Sequence, residues 1–328
     1  MISRLPLQDF IHEISRGNIV ILAQAITLAE SKLDKDRKLA EQLIEKLLPF
    51  AGNSIRIGIT GVPGVGKSTF IEAFGKYLTS LSKKIAILTI DPSSAKTKGS
   101  ILGDKTRMEE LARDPLAFIR PTAAGVTLGG VADRTREAIL LCEAAGFEII
   151  IIETVGVGQS ETAVRNMVDF FLLLMLAGAG DELQGIKKGI MEMADGVVIT
   201  KADGDNTIRA NQACADFQYA FHLFSQSDSK WKSAVLTSSA LEKKGIKETW
   251  NLIREYEQFT RSNHYFDYQR KQQDLIWFRE SIQQLLIQQL TQSQKINSKI
   301  KLLEDQILNK AILPSRAANE VILDFLSS

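Results

Sequence analysis

The sequence contains few of the residues that build disulfides and soft-metal sites. Among its 328 residues there are two cysteines, Cys142 and Cys214, and three histidines. Two cysteines this far apart argue against a disulfide framework and against a cysteine-based zinc site. The residues around Asp9 and Glu13 lack the layout of a signal peptide or a transit peptide. We therefore expect a reducing, cytoplasmic compartment.

Net charge is also nearly absent, with 40 Lys and Arg residues against 39 Asp and Glu residues. A nucleic-acid-binding protein normally presents a basic face, so we expect no nucleic-acid partner. The longest strongly apolar run lies between Asp169 and Asp181. Because a membrane-spanning helix needs about 20 apolar residues, we also expect no membrane span.

Hydrophobic periodicity divides the chain into three segments. Residues 1–52 have helical spacing and form a predicted N-terminal extension, which ends near Pro49 and Gly52. Residues 53–260 alternate short apolar runs with helical stretches, which predicts an α/β domain with a parallel sheet flanked by helices. The predicted strands are 55–60, 85–91, 147–153, 170–176, 196–200 and 234–236.

Residues 261–328 form a predicted helical C-terminal extension. An apolar stripe runs along it, including Leu275, Phe278, Ile282 and Leu285. Such a stripe fits a helical hairpin packed on its own domain, and it equally fits a dimerisation arm.

A phosphate-binding motif follows the first predicted strand and precedes a helix predicted from Lys67 to about Leu81. Its residues are Gly61, Val62, Pro63, Gly64, Val65, Gly66, Lys67, Ser68 and Thr69. The glycines let backbone N–H groups surround a polyphosphate, and the helix presents its positive end to the same anion. Lys67 is predicted to contact the β- and γ-phosphates, and Ser68 to ligate Mg²⁺. The motif predicts a P-loop NTPase fold.

Carboxylates follow two further predicted strands. Asp91 and Glu153 end strands, and Asp104 lies in the loop after Asp91. Ligands bind at the carboxyl edge of a parallel sheet, and Mg²⁺ prefers oxygen ligands. We therefore predict that Asp91, Asp104 and Glu153 join Ser68 in a magnesium site.

Residues 153–159 have the pattern of a γ-phosphate sensor. The N–H of Gly156 is predicted to bond the γ-phosphate and to be released on hydrolysis, which makes the segment a switch. Gly156, Glu153 and Asp104 thus join Lys67 as predicted catalytic groups. Gln159 and Asp133 are candidates for orienting the attacking water.

A base-reading segment, Thr200-Lys201-Ala202-Asp203, follows the fifth predicted strand. The Asp203 carboxylate can accept hydrogen bonds from guanine N1–H and the exocyclic amine, a donor pair that adenine lacks. Lys201 can stack on the purine, and the backbone of Ser239, Ala240 and Leu241 is predicted to contact guanine O6. Together with the P-loop, this predicts binding of GTP or GDP with Mg²⁺.

Thr200 stands where most GTPases have an asparagine that ties the base site to the P-loop. A threonine can make fewer such bonds, so we expect a lower nucleotide affinity.

Four segments resemble the methylmalonyl-CoA mutase-associated GTPases, the MeaB/ArgK/MMAA family. These are residues 91–108, 120–131, 153–161 (Glu-Thr-Val-Gly-Val-Gly-Gln-Ser-Glu) and 178–189 (Gly-Ala-Gly-Asp-Glu-Leu-Gln-Gly-Ile-Lys-Lys-Gly). The resemblance extends over nearly the whole chain. One departure is Ala177, where the family usually has proline.

The resemblance implies a GTP-hydrolysing chaperone of an adenosylcobalamin-dependent acyl-CoA mutase, most directly methylmalonyl-CoA mutase. Such a protein gates cofactor loading and protects or reactivates the mutase. The resemblance further implies a homodimer formed through the C-terminal extension, and a cobalamin adenosyltransferase as another partner. It also implies that residues 178–189 are an additional switch that contacts the mutase.

Two other functions stay open at this point. A metallochaperone GTPase for nickel or zinc enzymes has a related core, but it should carry a His-rich tail or paired cysteines. Here His12, His222 and His264 are scattered. A small-molecule kinase would need an acceptor pocket and usually no guanine reader, so Asp203 argues against it.

Overall fold

The computed structural model describes residues 5–31, 33–90, 108–122, 128–154, 160–178, 188–222 and 228–327. The chain forms two compact units, residues 1–273 and residues 274–328. Within the described ranges, no helix is both long and apolar enough to cross a membrane.

A seven-stranded parallel sheet forms the centre of the first unit. Its strands are β1 (Ile55–Gly61), β2 (Ile85–Ile90), β3 (Ala117–Thr122), β4 (Ile149–Thr154), β5 (Phe170–Leu176), β6 (Gly196–Thr200) and β7 (Ala234–Thr237). They lie in the order β3-β2-β4-β1-β5-β6-β7, and all neighbours pair in parallel. The predicted parallel α/β fold is confirmed, and the carboxyl ends of all the strands meet at one edge.

One strand of this sheet was not predicted. The strand β3 has the sequence Ala-Phe-Ile-Arg-Pro-Thr, in which Arg120 and Pro121 interrupt the apolar run. Proline lacks a backbone donor and is tolerated at a sheet edge, and β3 pairs with β2 alone. The other six strands match the predicted ones to within two residues at each end, the largest difference being the start of β4 at Ile149.

Helices surround the sheet and continue beyond it. They are α1 (Leu7–Ser15), α2 (Ile19–Ala29), α3 (Asp34–Leu47), α4 (Lys67–Ser80), α5 (Glu109–Ala112), α6 (Leu128–Ala144), α7 (Ser160–Arg165), α8 (Lys188–Met193), α9 (Thr207–His222), α10 (Ile246–Ser262), α11 (Tyr265–Gln292), α12 (Gln294–Leu308) and α13 (Pro314–Leu326), with short 3₁₀ turns at Leu48–Phe50 and Gly204–Asn206. The predicted helical extensions at both ends of the chain are confirmed.

Both faces of the sheet are buried. Every residue of β2 and of β4 is buried, as expected for parallel strands that are covered on both sides. One face shares an apolar core with α1, α2, α3 and α6, in which Leu22 and Leu43 accompany Ile152. The other face packs against α4 and α10, with Phe74 and Tyr256 in the core. The N-terminal helices thus belong to the same core as the sheet.

An arginine anchors the start of α11 to the first unit. The guanidinium of Arg270 donates two hydrogen bonds of 2.7 Å to the buried carboxylate of Asp169. It also donates to the carbonyl oxygens of Gly52 and Ser54, at 2.6 Å each. Breaking a buried ion pair from one side leaves an uncompensated charge, so the residues up to 273 are needed for an intact first unit.

A half-buried acid, Glu137, lies on α6 near charged residues of α3. Burial raises the pKa of Glu137 to about 7, and Asp133 and Glu41 act in the same direction while Arg37 and Arg134 oppose them. The folded protein therefore binds a proton at this carboxyl at pH values where the unfolded chain has released it.

We predict that Glu137→Gln stabilises the protein at neutral and alkaline pH. The stability of the unmodified protein should fall as the pH rises from about 4.5 to about 7, and glutamine has no proton to lose. The gain in the free energy of unfolding should therefore be about 1–3 kcal/mol larger at about pH 8 than at about pH 5. Urea denaturation of both proteins at the two pH values measures this difference, and a pH-independent difference would contradict it.

Candidate nucleotide-binding site

The turn after β1 approaches the neighbouring strand very closely. A Cβ atom added to Gly61 would lie 2.5 Å from the carbonyl oxygen of Leu174 on β5, so a larger residue cannot occupy this position. Gly66, with φ of 90°, adopts the left-handed conformation immediately before α4. Between them Val65 is buried in the apolar core beside α4. The motif glycines thus let the loop turn tightly while Val65 fixes it to the core.

Three polar side chains of the predicted site meet beside this turn. Lys67 Nζ donates to the carbonyl oxygen of Gly61 at 2.8 Å. Ser68 Oγ, in the first turn of α4, donates to Glu153 Oε1 on β4 at 3.2 Å. Hydroxyl and carboxylate oxygens are ligands that Mg²⁺ prefers. The chemistry of Ser68 and Glu153 therefore fits a magnesium ion.

A second buried carboxylate acts on Lys67. Burial lowers the pKa of the Lys67 ammonium, and the charges of Glu153 and Glu161 oppose that shift. Glu161 lies in the first turn of α7 and is 1% exposed. Sequence reasoning did not select Glu161 as a site residue. The sequence feature that could have indicated it is its place at the end of residues 153–161, a segment that carries the family resemblance.

Thr200 connects the base-reading segment to the P-loop. Its hydroxyl is buried at the end of β6 and donates to the carbonyl oxygen of Val65 at 2.7 Å, with the carbonyl oxygen of Met175 at 3.2 Å. We expected fewer bonds from threonine than from asparagine at this position. The structure shows that the bond to the P-loop is nevertheless made, while the expected loss of nucleotide affinity stays a prediction.

The side chain of Lys201 extends towards the P-loop. Its Cε atom lies 3.9 Å from the position that a Cβ would have on Gly66. The backbone of Lys201 has φ of 54°, and its carbonyl oxygen accepts a 2.7 Å hydrogen bond from the Asn206 side chain. The aliphatic stem of Lys201 therefore lies beside the P-loop, and its stacking on a base stays a prediction.

Asp203 is held by the second base-reading loop. Ser239 Oγ donates to Asp203 Oδ2 at 2.6 Å. Ser239 itself is fully buried and exchanges two backbone hydrogen bonds with Lys244, which closes the loop. These bonds fix the orientation of the Asp203 carboxylate, and its contact with guanine stays a prediction. In the same loop Ala240 is half-buried and Leu241 is 79% exposed.

Several predicted site residues lie outside the described part of the chain. These are Asp91, Asp104, Gly156 and Gln159, together with residues 179–187 of the predicted additional switch. Asp133 is described and lies on α6, with its carboxylate 3.7 Å from the guanidinium of Arg136. The roles assigned to all of these residues stay predictions.

We predict that Thr200→Val weakens GDP binding about tenfold. Valine has nearly the same shape but no hydroxyl, so the P-loop loses one buried hydrogen bond, a loss of about 1 kcal/mol or more. Thr200→Ser keeps the donor and should bind GDP nearly as the unmodified protein does. Calorimetric titration measures the three dissociation constants. Equal affinity of the valine variant, with an unchanged melting temperature, would show that this bond does not support nucleotide binding.

Comparisons with known proteins agree on one family. The family model of the methylmalonyl Co-A mutase-associated GTPase MeaB matches residues 22–295. The GTPase ArgK of Escherichia coli strain K12 is 47% identical over 290 residues, which cover 88% of each chain. The mitochondrial methylmalonic aciduria type A homolog of Mus musculus is 43% identical, over 95% of this chain and 78% of its own. A crystal structure of a LAO/AO transport system kinase is 36% identical, with a TM-score of 0.79 and full coverage of both chains.

Proposed function

The chain belongs to the methylmalonyl-CoA mutase-associated GTPase family, and we propose that it is the GTP-hydrolysing chaperone of an adenosylcobalamin-dependent acyl-CoA mutase. GTP hydrolysis follows from the family, whose members are named as GTPases. The proposal adds the partner, for which methylmalonyl-CoA mutase is the first candidate. The nucleotide state would gate cofactor loading and would protect or reactivate the mutase. A cobalamin adenosyltransferase is a further proposed partner.

The proposal that the protein binds GTP is supported by the hydrogen bond between the P-loop and the base-reading segment. Thr200 joins the P-loop to the segment that contains Asp203, whose carboxylate is already oriented by Ser239. Asp203 then accepts from the guanine donors while the P-loop N–H groups surround the phosphates. The P-loop and the base-reading segment, joined by Thr200, would therefore bind the phosphates and the base of one nucleotide.

Hydrolysis at this site relies on positioning and on charge neutralisation. Lys67 would leave the carbonyl oxygen of Gly61 and contact the β- and γ-phosphates. Ser68 and Glu153 would hold Mg²⁺, which would supply positive charge to offset that of the phosphates. Phosphoryl transfer needs little covalent help from the protein. Slow intrinsic turnover that a bound partner accelerates is therefore consistent with this arrangement.

We predict that two sets of variants separate intrinsic turnover from its acceleration by the mutase. Lys67→Ala should raise the barrier to GTP hydrolysis by about 2–4 kcal/mol, the scale of losing one preorganised donor. Gln184→Ala combined with Lys187→Ala should leave intrinsic turnover nearly unchanged, because neither residue is among those predicted from the sequence to contact phosphate, magnesium or guanine. The double variant should lose the acceleration by the mutase, since a partner shifts a switch only through contacts that differ between its states.

Phosphate release with and without methylmalonyl-CoA mutase measures both effects. If the double variant loses intrinsic turnover as completely as Lys67→Ala does, residues 184 and 187 belong to the catalytic machinery. If the mutase does not accelerate the unmodified protein, the proposed partner is wrong even though GTP hydrolysis remains.

A small-molecule kinase is a second candidate, because the related solved structure is described as a LAO/AO transport system kinase. Product analysis distinguishes the two functions. A GTPase releases free phosphate from GTP, whereas a kinase transfers the phosphoryl group to an acceptor that can be isolated.

We propose that the protein is a homodimer formed through the apolar stripe of α11. Leu275, Phe278, Ile282 and Leu285 are between 42% and 64% exposed in the single chain. Contiguous apolar side chains of this kind mark interaction surfaces. The second unit already has a core of its own around Ile296, Leu303, Ala317 and Val321, so the stripe is available for a partner chain.

We predict that Phe278→Asp combined with Leu285→Asp converts the dimer to a monomer. Both side chains lie on one face of α11, seven residues apart, and each introduced carboxylate would have to be buried in the interface. Gln283→Asp, at an exposed position of the same helix, is the matched control and should stay dimeric. Light scattering gives the masses, and an unchanged mass of the double variant would refute the proposed interface.

A further inference from the structure

A cleft of about 620 Å³ lies between α2 and the edge strand β3. This volume is within the range of about 300–1,000 Å³ that is typical of small-molecule sites. The cleft is lined by residues of α2, by residues 112–115 at and after the end of α5, and by the first four residues of β3. Its lining includes no residue of the P-loop or of the base-reading segments, so it is separate from the nucleotide site.

One side of the cleft is apolar. Ile19, Val20 and Ala23 of α2 line it together with Phe118 of β3. Ile19 and Val20 are 39% and 67% exposed, although both are β-branched aliphatic residues. A hydrocarbon group that entered the cleft would remove this surface from water, which favours binding.

The other side carries two arginines with unused donors. Arg120 Nη2 donates to Glu30 at 2.6 Å and to Thr27 at 3.2 Å. Its Nη1 has no hydrogen-bond acceptor among the described residues, although the side chain is 23% exposed. Arg113 is exposed and forms no ion pair within the described ranges.

The acid that lines the cleft is already neutralised. Asp114 Oδ2 accepts from Lys76 Nζ at 2.6 Å and from Thr79 Oγ1 at 2.7 Å, both on α4. These bonds hold the pKa of Asp114 below its ordinary value despite the opposing effect of burial. The charge that the cleft offers to a ligand is therefore positive.

We propose that this cleft binds a small organic anion that joins an apolar body to a carboxylate or phosphate group. The apolar body lies against Ile19, Val20 and Ala23, and the anionic group accepts from Arg113 and from Arg120 Nη1. The planar guanidinium suits both anions, because each presents two oxygens to its donors. A neutral ligand of the same shape would leave the Arg113 charge without a partner.

Calorimetric titration of the full chain with three probes tests the proposal. Octanoate and octyl phosphate share an apolar body and differ in the anionic group, and 1-octanol has the same body without charge. Both anions, or one of them, should bind at least about tenfold more tightly than octanol, the scale of hydrogen bonds to a charged group. The comparison of the two anions identifies the preferred group.

Two exposed positions provide the variants. Arg113→Gln removes the free cation, and Val20→Asp places a negative charge at the entrance of the cleft, in the first turn of α2, where an acid is compatible with the helix. Each should weaken binding of the preferred anion about tenfold, the scale of losing one charged contact. Arg209→Gln, at an exposed arginine of α9 outside the cleft, is the control and should bind the anion as the unmodified protein does.

Three results would overturn the proposal. The first is no binding of either anion at millimolar concentration. The second is equal binding of octanol and the anions. The third is unchanged anion affinity in both cleft variants, which would show that the anion binds elsewhere on the chain.

Discussion

The nucleotide site depends on how tightly the P-loop is held against the carboxyl ends of three neighbouring strands. The strands β1, β5 and β6 are adjacent in the sheet. Gly61 brings the end of β1 against the carbonyl oxygen of Leu174 on β5, where a Cβ would not fit. From β6, the Thr200 hydroxyl contacts carbonyl oxygens of both β5 and the P-loop. The absence of a Cβ at Gly61 and the hydroxyl of Thr200 thus fix the loop from two directions.

The electrostatics of the site follow from this packing. A loop held so close to the sheet brings Lys67 into a partly desolvated position, which lowers the pKa of its ammonium group. The carboxylates of Glu153 and Glu161 oppose that shift and keep positive charge at the loop. The same buried arrangement orients Ser68 towards Glu153. Fixed, partly buried charges of this kind interact more strongly with an incoming phosphate than the same groups would in water.

Sequence patterns predicted those parts of the structure that depend on local composition. The buried runs that became β1, β2, β4, β5, β6 and β7 are nearly continuous in apolar residues, and the glycine motif marks the loop after β1. The edge strand β3 was not predicted, because its Arg120 and Pro121 interrupt the apolar run. Proline is tolerated there because one side of the strand is unpaired. That condition depends on strand order, which periodicity along the chain does not contain.

The details missed at the site have the same origin. The hydrogen bond from Thr200 to Val65 joins two segments that are 135 residues apart in sequence, and the sequence does not give the distance between them in the fold. Glu161 acts through its burial near Lys67, and Arg270 through its contacts with Asp169, Gly52 and Ser54. Each role is set by tertiary proximity between segments.

The most direct measurement is the preference of the protein, and of an Asp203 variant, among nucleoside triphosphates with different bases. In Asp203→Asn the side chain can donate a hydrogen bond, and xanthine has a carbonyl oxygen where guanine has the exocyclic amine. Turnover with GTP, ATP and xanthosine triphosphate should show that the unmodified protein prefers GTP. The variant should lose at least about tenfold in kcat/KM for GTP and gain in relative activity with xanthosine triphosphate, since a site built to bond a substrate group rejects an analogue that lacks it. A variant that keeps its GTP preference, or an unmodified protein that turns over ATP and GTP equally, would contradict guanine reading by Asp203.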